Sequence, residues 1–346
     1  MTSSDFGLII VFIGLIVLFL ISLKPIPYLE KPLLHIDYET SQAMKGIACI
    51  MILLTHFGNF SAIDHGIIRI TKLFSANIAL TLFMFFSGYG MSLKNIKMGG
   101  IKKEYKKSLK KIYLPCLFVN TIAFVLYFIL PDITLEEVQE VQVNKNLFLI
   151  QNIDTTNILP LLLSFLSGNG SWYVLCIIVF YSLYYIASYI SEKKKINVSL
   201  VLFLLFFIYF IIAYMYFGKS QAHYFRYCWT FLLGHAIATR TNISMLLAIC
   251  SLISLGTENW CLHMSYIMAI IILCIVSFIN SRYSIKGKFL LYLGAISYFY
   301  YLSHETISRV ILAYFNIQDN VLIWVTTSGV IAAILYHSYN KLTKYK

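Results

Sequence analysis

Runs of about 17–25 apolar residues recur along the whole chain, and that is the length a helix needs to cross the hydrocarbon core of a bilayer. Transmembrane barrel strands would be shorter and would alternate apolar with polar residues, and no such alternation is present. Hydrophobic residues make up 59% of the chain and charged residues 12%, with mean hydropathy +0.77. A soluble domain is nearer half apolar and a quarter charged. The excess is too large for one globular core of 346 residues, so lipid must solvate most of it. The expected fold is all-α: a polytopic transmembrane helix bundle.

Spans are expected near 6–23, 43–62, 73–93, 112–130, 172–190, 197–217, 224–239, 243–256, 261–280, 289–314 and 321–339. This gives ten or eleven spans, since 243–256 is short. A further apolar piece, 158–167, is too short to cross and precedes Gly168-Asn169-Gly170; it reads as interfacial or re-entrant. The first run lacks a basic leader and a small-residue cleavage site, so it reads as a retained helix and not a signal peptide. Residues 1–42 are expected to be an extra N-terminal helix with a cytoplasmic connector, and 43–346 the main membrane domain, in the cell membrane.

Alternate loops carry the positive charge. Lys24, Lys31, Lys45, the eight lysines between Lys94 and Lys111, Lys193–Lys195, Arg240, Arg282, Lys286, Lys288 and the tail lysines fall on one side, 21 of the 27 basic residues. Arg69, Lys72, Lys145, Lys219 and Arg226 fall on the other, and Arg309 lies within a span. The positive-inside rule then puts the N-terminus outside and the C-terminus in the cytoplasm. The same distribution explains the net charge of +12 by topology, so no nucleic-acid partner is expected. The seven cysteines are scattered without metal-ligand spacing. They read as reduced packing residues, and no metal site is expected.

Ionisable residues inside apolar runs cost about 2.5–3.5 kcal/mol at mid-bilayer on insertion scales, so they usually face a cavity or a partner. The stretch 44–57, MKGIACIMILLTHF, places Lys45 at the cytoplasmic edge of its helix and His56 eleven residues later. Eleven residues is about three turns, roughly 16 Å, so both side chains share one face. Lys45 otherwise reads as a snorkelling anchor. His56 otherwise reads as a neutral histidine bonded across helices, with Thr55 and Asn59 as neighbouring polar partners.

A second constellation is Ser297-Tyr298-Phe299-Tyr300-Tyr301-Leu302-Ser303-His304-Glu305. His304 and Glu305 lie about 22–24 Å along a helix that starts near Phe289, toward the outer face. Adjacent residues project about 100° apart, so these two need not touch. An interfacial polar cap with an aromatic belt is the competing account. Phe86-Ser87-Gly88-Tyr89 reads as a close helix contact. Ser171-Trp172-Tyr173 and the cluster His223, Tyr224, Arg226, Tyr227 sit at outer helix ends, where an aromatic belt or a sugar site would each place them.

Taken in order, several stretches resemble the integral-membrane acyltransferase-3 family. Lys45…His56 is similar to its basic residue, ten positions, then His. Phe85-Phe86-Ser87-Gly88-Tyr89, Lys107 to Pro115, Trp172-Tyr173-Val174-Leu175, Phe231–Gly234 and the run Gly294 to His304 resemble its later motifs. The resemblance covers about 43–339, and the helix at 6–23 looks like an addition to a ten-helix core. One departure concerns a basic pair usually written Arg-x-x-Arg: this chain offers Lys107 with Lys110, or Lys111 by its distance to Pro115. Lysine gives a point charge without a bidentate fork.

The resemblance implies transfer of an acyl group, acetyl first and succinyl as an alternative, from cytoplasmic acyl-CoA to a hydroxyl of a cell-surface carbohydrate outside. His56 would then be the catalytic group, as a base or as a transient acyl carrier. Lys45, Lys107, Lys110 and Lys111 would meet the CoA phosphates, and anionic lipid and topology also account for these lysines. Trp172, Ser297, His304 and Glu305 would contact the acceptor. No permanently bound cofactor is expected. The expected partners are acyl-CoA, the glycan, the bilayer and glycan biosynthesis or export machinery. The rival readings are a polysaccharide exporter or flippase, and a glycan polymerase. Against them stand the lack of paired half-repeats and the moderate, acidic loop at 131–157.

Overall fold

The computed structural model describes residues 3–25, 36–60, 66–98, 101–129, 172–217, 225–240, 260–315 and 320–344. In chain order these form α1 (Ser3–Ser22), β1 (Leu23–Pro25), α2 (Tyr38–Phe60), α3 (Gly66–Met98), α4 (Ile101–Ile129), α5 (Trp172–Lys194), α6 (Val198–Phe217) and α7 (Cys228–Thr239). There follow α8 (Trp260–Arg282), β2 (Tyr283–Ile285), α9 (Lys288–Ser303), a π turn (His304–Ser308), α10 (Arg309–Tyr314) and α11 (Val321–Lys344). The expected helices at 6–23, 43–62, 73–93, 112–130, 172–190, 197–217, 224–239, 261–280, 289–314 and 321–339 all coincide with these elements. The 243–256 helix, the 158–167 piece and the 131–157 loop lie outside the described residues.

Four helices among the described residues contain stretches long and apolar enough to cross a membrane: Ile68–Asn95, Trp172–Lys194, Val198–Tyr216 and Val321–Thr343. Apolar outward surface also runs along two of the helices, α6 among these four and the shorter apolar stretch of α8. On α6, Leu200, Leu204, Phe207, Ile208, Ile211, Ile212 and Met215 are exposed; on α8, Ile267, Ile270, Ile271, Ile275 and Phe278 are. Continuous apolar surface of this kind on helices is what lipid covers and water does not.

The all-α expectation holds, with one short ribbon beside the helices. β1 and β2 form a short antiparallel pair, Leu23 opposite Ile285 and Pro25 opposite Tyr283. The backbone N–H of Lys286 extends it by donating to the Ser22 carbonyl at 2.8 Å. Hydropathy could not reveal a ribbon of three residues per strand, since its partner lies some 260 residues away. The pair brings the end of α1 beside the end of α8.

The chain divides into two compact units. One comprises Met1–Phe83, Leu130–Ile133 and Asn259–Lys346; the other comprises Met84–Ile129 and Thr134–Glu258. In the first, α2, α9 and α11 pack together and α1 lies against them. Polar residues mark its helix starts. Asp37 caps α2 by accepting from the Thr40 N–H at 2.7 Å, and Asn320 caps α11 through the Leu322 and Ile323 N–H groups. Thr40 also donates its hydroxyl to Asn280 at 2.8 Å, pinning the start of α2 to α8.

In the second unit, α3 and α7 touch backbone to backbone. A Cβ on Gly88 would run into the Phe231 carbonyl, and one on Gly234 into the Phe85 carbonyl. The Ser87-Gly88 pair is thus the close helix contact expected of small residues. His235 ties the same region: Ser92 accepts from its Nδ1 at 2.8 Å and Ser199 meets its Nε2 at 2.9 Å. Ser92 spends its own proton on the Gly88 carbonyl, so Nδ1 carries the ring hydrogen and Ser199 donates to Nε2. Nothing in the spacing of the sequence singled His235 out.

Candidate active site

The α2–α9 contact builds the site. These two helices run parallel with one constant offset of 248 residues. Gly46 faces Gly294, the Cys49 thiol donates to the Ser297 carbonyl at 3.1 Å, and His56 faces His304. A Cβ on Gly46 would stand 2.9 Å from the Gly294 nitrogen, and one on Gly294 would enter the Gln42 carbonyl. The glycines therefore set both distance and register. Ten residues beyond them on each helix, about 15 Å at the α-helical rise, the two histidines arrive at the same depth.

There α9 opens into the π turn, in which the Arg309 N–H reaches back to the His304 carbonyl. Single π turns widen a helix and recur at functional sites. Here the widened turn lets two adjacent residues converge on one partner. Glu305 Oε1 lies 2.5 Å from His56 Nδ1, and the His304 ring lies edge-on to His56 with centroids 4.8 Å apart. The sequence placed His56 and the His304-Glu305 pair at separate stations and left the pair without need of contact. The fold joins all three.

His56 and Glu305 are 26% and 29% exposed, so a ligand can reach them, whereas His304 is buried. The tautomers follow from the partners. A carboxylate accepts, so His56 donates from Nδ1 and keeps its lone pair on Nε2. His304 Nδ1 lies 2.5 Å from the Tyr301 carbonyl and must donate too, leaving the lone pair on a buried Nε2. Thr55 turns away from His56 and donates to the Met51 and Thr71 carbonyls, each at 3.2 Å. The Asn59 side chain is outside the described set. From behind, Phe57 packs edge-on against the buried Trp324 of α11, and the Tyr300 hydroxyl donates to the Val325 carbonyl at 2.6 Å.

The other candidates are placed as follows. Lys45 is half-buried on α2. Ser297 is buried in the α2–α9 contact, its hydroxyl donating to the Gly294 carbonyl at 2.8 Å. Lys107, Lys110 and Lys111 belong to the second unit and stand exposed on α4. That helix is held to α5 by Tyr105, which stacks on Tyr185 at 4.5 Å and bonds Ser182 at 2.9 Å. Trp172, also in the second unit, stacks on Tyr227 with centroids 5.9 Å apart. Arg226 lies over the Tyr227 ring, while His223 and Tyr224 are outside the described residues.

A family model described as an acyltransferase domain matches residues 40–336. The match begins after α1 and takes in His56, His304 and Glu305. No curated protein and no solved structure matches the chain.

Proposed function

We propose, since the chain belongs to the acyltransferase-3 family of membrane acyltransferases, that it transfers an acyl group, acetyl by preference, from acyl-CoA to a carbohydrate hydroxyl outside the cell. The observation that carries the reading is the Glu305–His56 pair. Glu305 holds the imidazole in the tautomer whose lone pair sits on Nε2, the atom that takes the proton, and stabilises the imidazolium that results. This gives Glu305 a role different from the acceptor contact expected of it in the sequence. The acceptor O–H is held at Nε2. As its oxygen attacks the thioester carbonyl, the proton passes to His56 and a C–O bond forms. The tetrahedral intermediate then expels the CoA sulfur, the C–S bond breaks, and His56 returns the proton to give free CoA thiol.

The proposed topology is multi-pass in the cell membrane, N-terminus outside. It makes the Lys45 end of α2 the donor side and sets Lys107, Lys110 and Lys111 among cytoplasmic cations suited to the CoA phosphates. His304 is a proposed inner wall of the site, while Ser297, buried between α2 and α9, is assigned to packing.

The decisive test is His56→Ala, with insertion and accumulation verified, followed by measurement of base-labile esters on the surface glycan. Esters should vanish while glycan amount and chain length hold. Persisting esters would reduce His56 to a packing residue. Loss of the glycan itself would make the protein an export component.

A further inference from the structure

His56, His304 and Glu305 offer two imidazoles and a carboxylate whose ligand atoms all lie within 4.8 Å of one another. A base and its carboxylate partner do not need the third member. His304 donates from Nδ1 to the Tyr301 carbonyl, so its lone pair sits on Nε2, and that buried atom has no hydrogen-bond partner. A histidine fixed through one nitrogen to a backbone carbonyl, with the other nitrogen open, is how proteins orient an imidazole toward a metal ion. The sequence showed no metal spacing because the ligands come from positions 248 residues apart on two helices.

We infer that His56, His304 and Glu305 form a binding site for Zn²⁺, and that the bound ion switches acyl transfer off. The binding half stands on geometry alone; the switching half rests on the reading of His56 as the base. Nitrogen and carboxylate donors suit zinc at bond lengths of about 2.0–2.2 Å, which puts tetrahedral ligands roughly 3.3 Å apart. The ligand atoms must move by about 1–1.5 Å to meet that geometry, within reach of side-chain rotation. Magnesium and calcium prefer all-oxygen shells. The partial exposure of His56 and Glu305 leaves the fourth position open to water. Zinc on His56 Nδ1 displaces the hydrogen there, and the neutral ring then carries its one hydrogen on Nε2. No lone pair remains to take the acceptor's proton.

The test uses the full chain purified in detergent, stripped with chelator and titrated with zinc chloride, with bound metal read by elemental analysis. Wild type should take up one zinc per chain. His304→Ala and Glu305→Gln should weaken it at least 10–100-fold, and His304→Cys, which restores a zinc ligand, should recover most of the affinity. His337→Ala, an exposed histidine bonded to Tyr292, should leave it unchanged. Zinc should stop ester formation by wild type, and EDTA should restore it. Absence of zinc in wild type, or equal affinity in His304→Ala, would overturn the site. Zinc bound at the cluster without slowing ester formation would overturn the switch. No ester from the metal-free protein would sink the acyl-transfer reading, while the titration would still decide the site.

Discussion

Substituting Gly294 by Ala tests whether backbone contact between α2 and α9 sets the catalytic geometry. The added methyl would be driven into the Gln42 carbonyl, a main-chain atom of α2 that cannot swing aside. Restoring ordinary contact, about 3.5 Å, requires the helices to part by about 1.4 Å. The His56–Glu305 pair, now 2.5 Å, would stretch to about 3.9 Å and pass out of hydrogen-bonding range. Overpacking of this kind costs about 1–3 kcal/mol, and a 1 Å misplacement of catalytic groups costs about 10²-fold in rate. The expected result is protein that accumulates, melts slightly earlier and forms ester about 100-fold more slowly from acetyl-CoA. Gly14→Ala is the control, since a Cβ there meets nothing within 4 Å. If Gly294→Ala and Gly14→Ala formed ester at the wild-type rate, the glycine contact would not govern the site.

Glu305→Gln keeps the shape but removes the charge that fixes and stabilises His56; kcat should fall about 10²–10⁴-fold with KM little changed, and a KM-only effect would return Glu305 to acceptor binding. His235→Ala removes two buried hydrogen bonds and leaves a cavity; stability should drop by about 2–4 kcal/mol, visible as an earlier thermal transition, and an unchanged melt would contradict its role as a tie. The triple change Lys107→Ala, Lys110→Ala, Lys111→Ala should raise KM for acetyl-CoA roughly tenfold at low salt, with the difference shrinking as salt screens these exposed charges; unchanged KM would assign the lysines to topology and lipid.

Helix positions were legible because hydropathy and helical periodicity are local properties. A span advertises itself in about 20 residues, so α1, α5, α6 and α11 fall where their apolar runs fall. His56 stood out for the same reason, as an ionisable residue in an apolar helix. His235 is more deeply buried than His56 yet stayed silent, because its meaning lies in Ser92 and Ser199 on two other helices.

The sequence by itself determined a helical membrane chain, the place of His56 as an ionisable residue in the apolar run of α2, and an acyltransferase resemblance written in ordered motifs. Only the tertiary structure decided that Gly46 meets Gly294, and with that which residues share a level. It also supplied the π turn, which turns Glu305 onto His56 and which no local periodicity encodes. The physical reason is common to all of these. Burial pattern fixes how a helix faces its surroundings, while the choice of partner depends on short contacts between residues hundreds of positions apart.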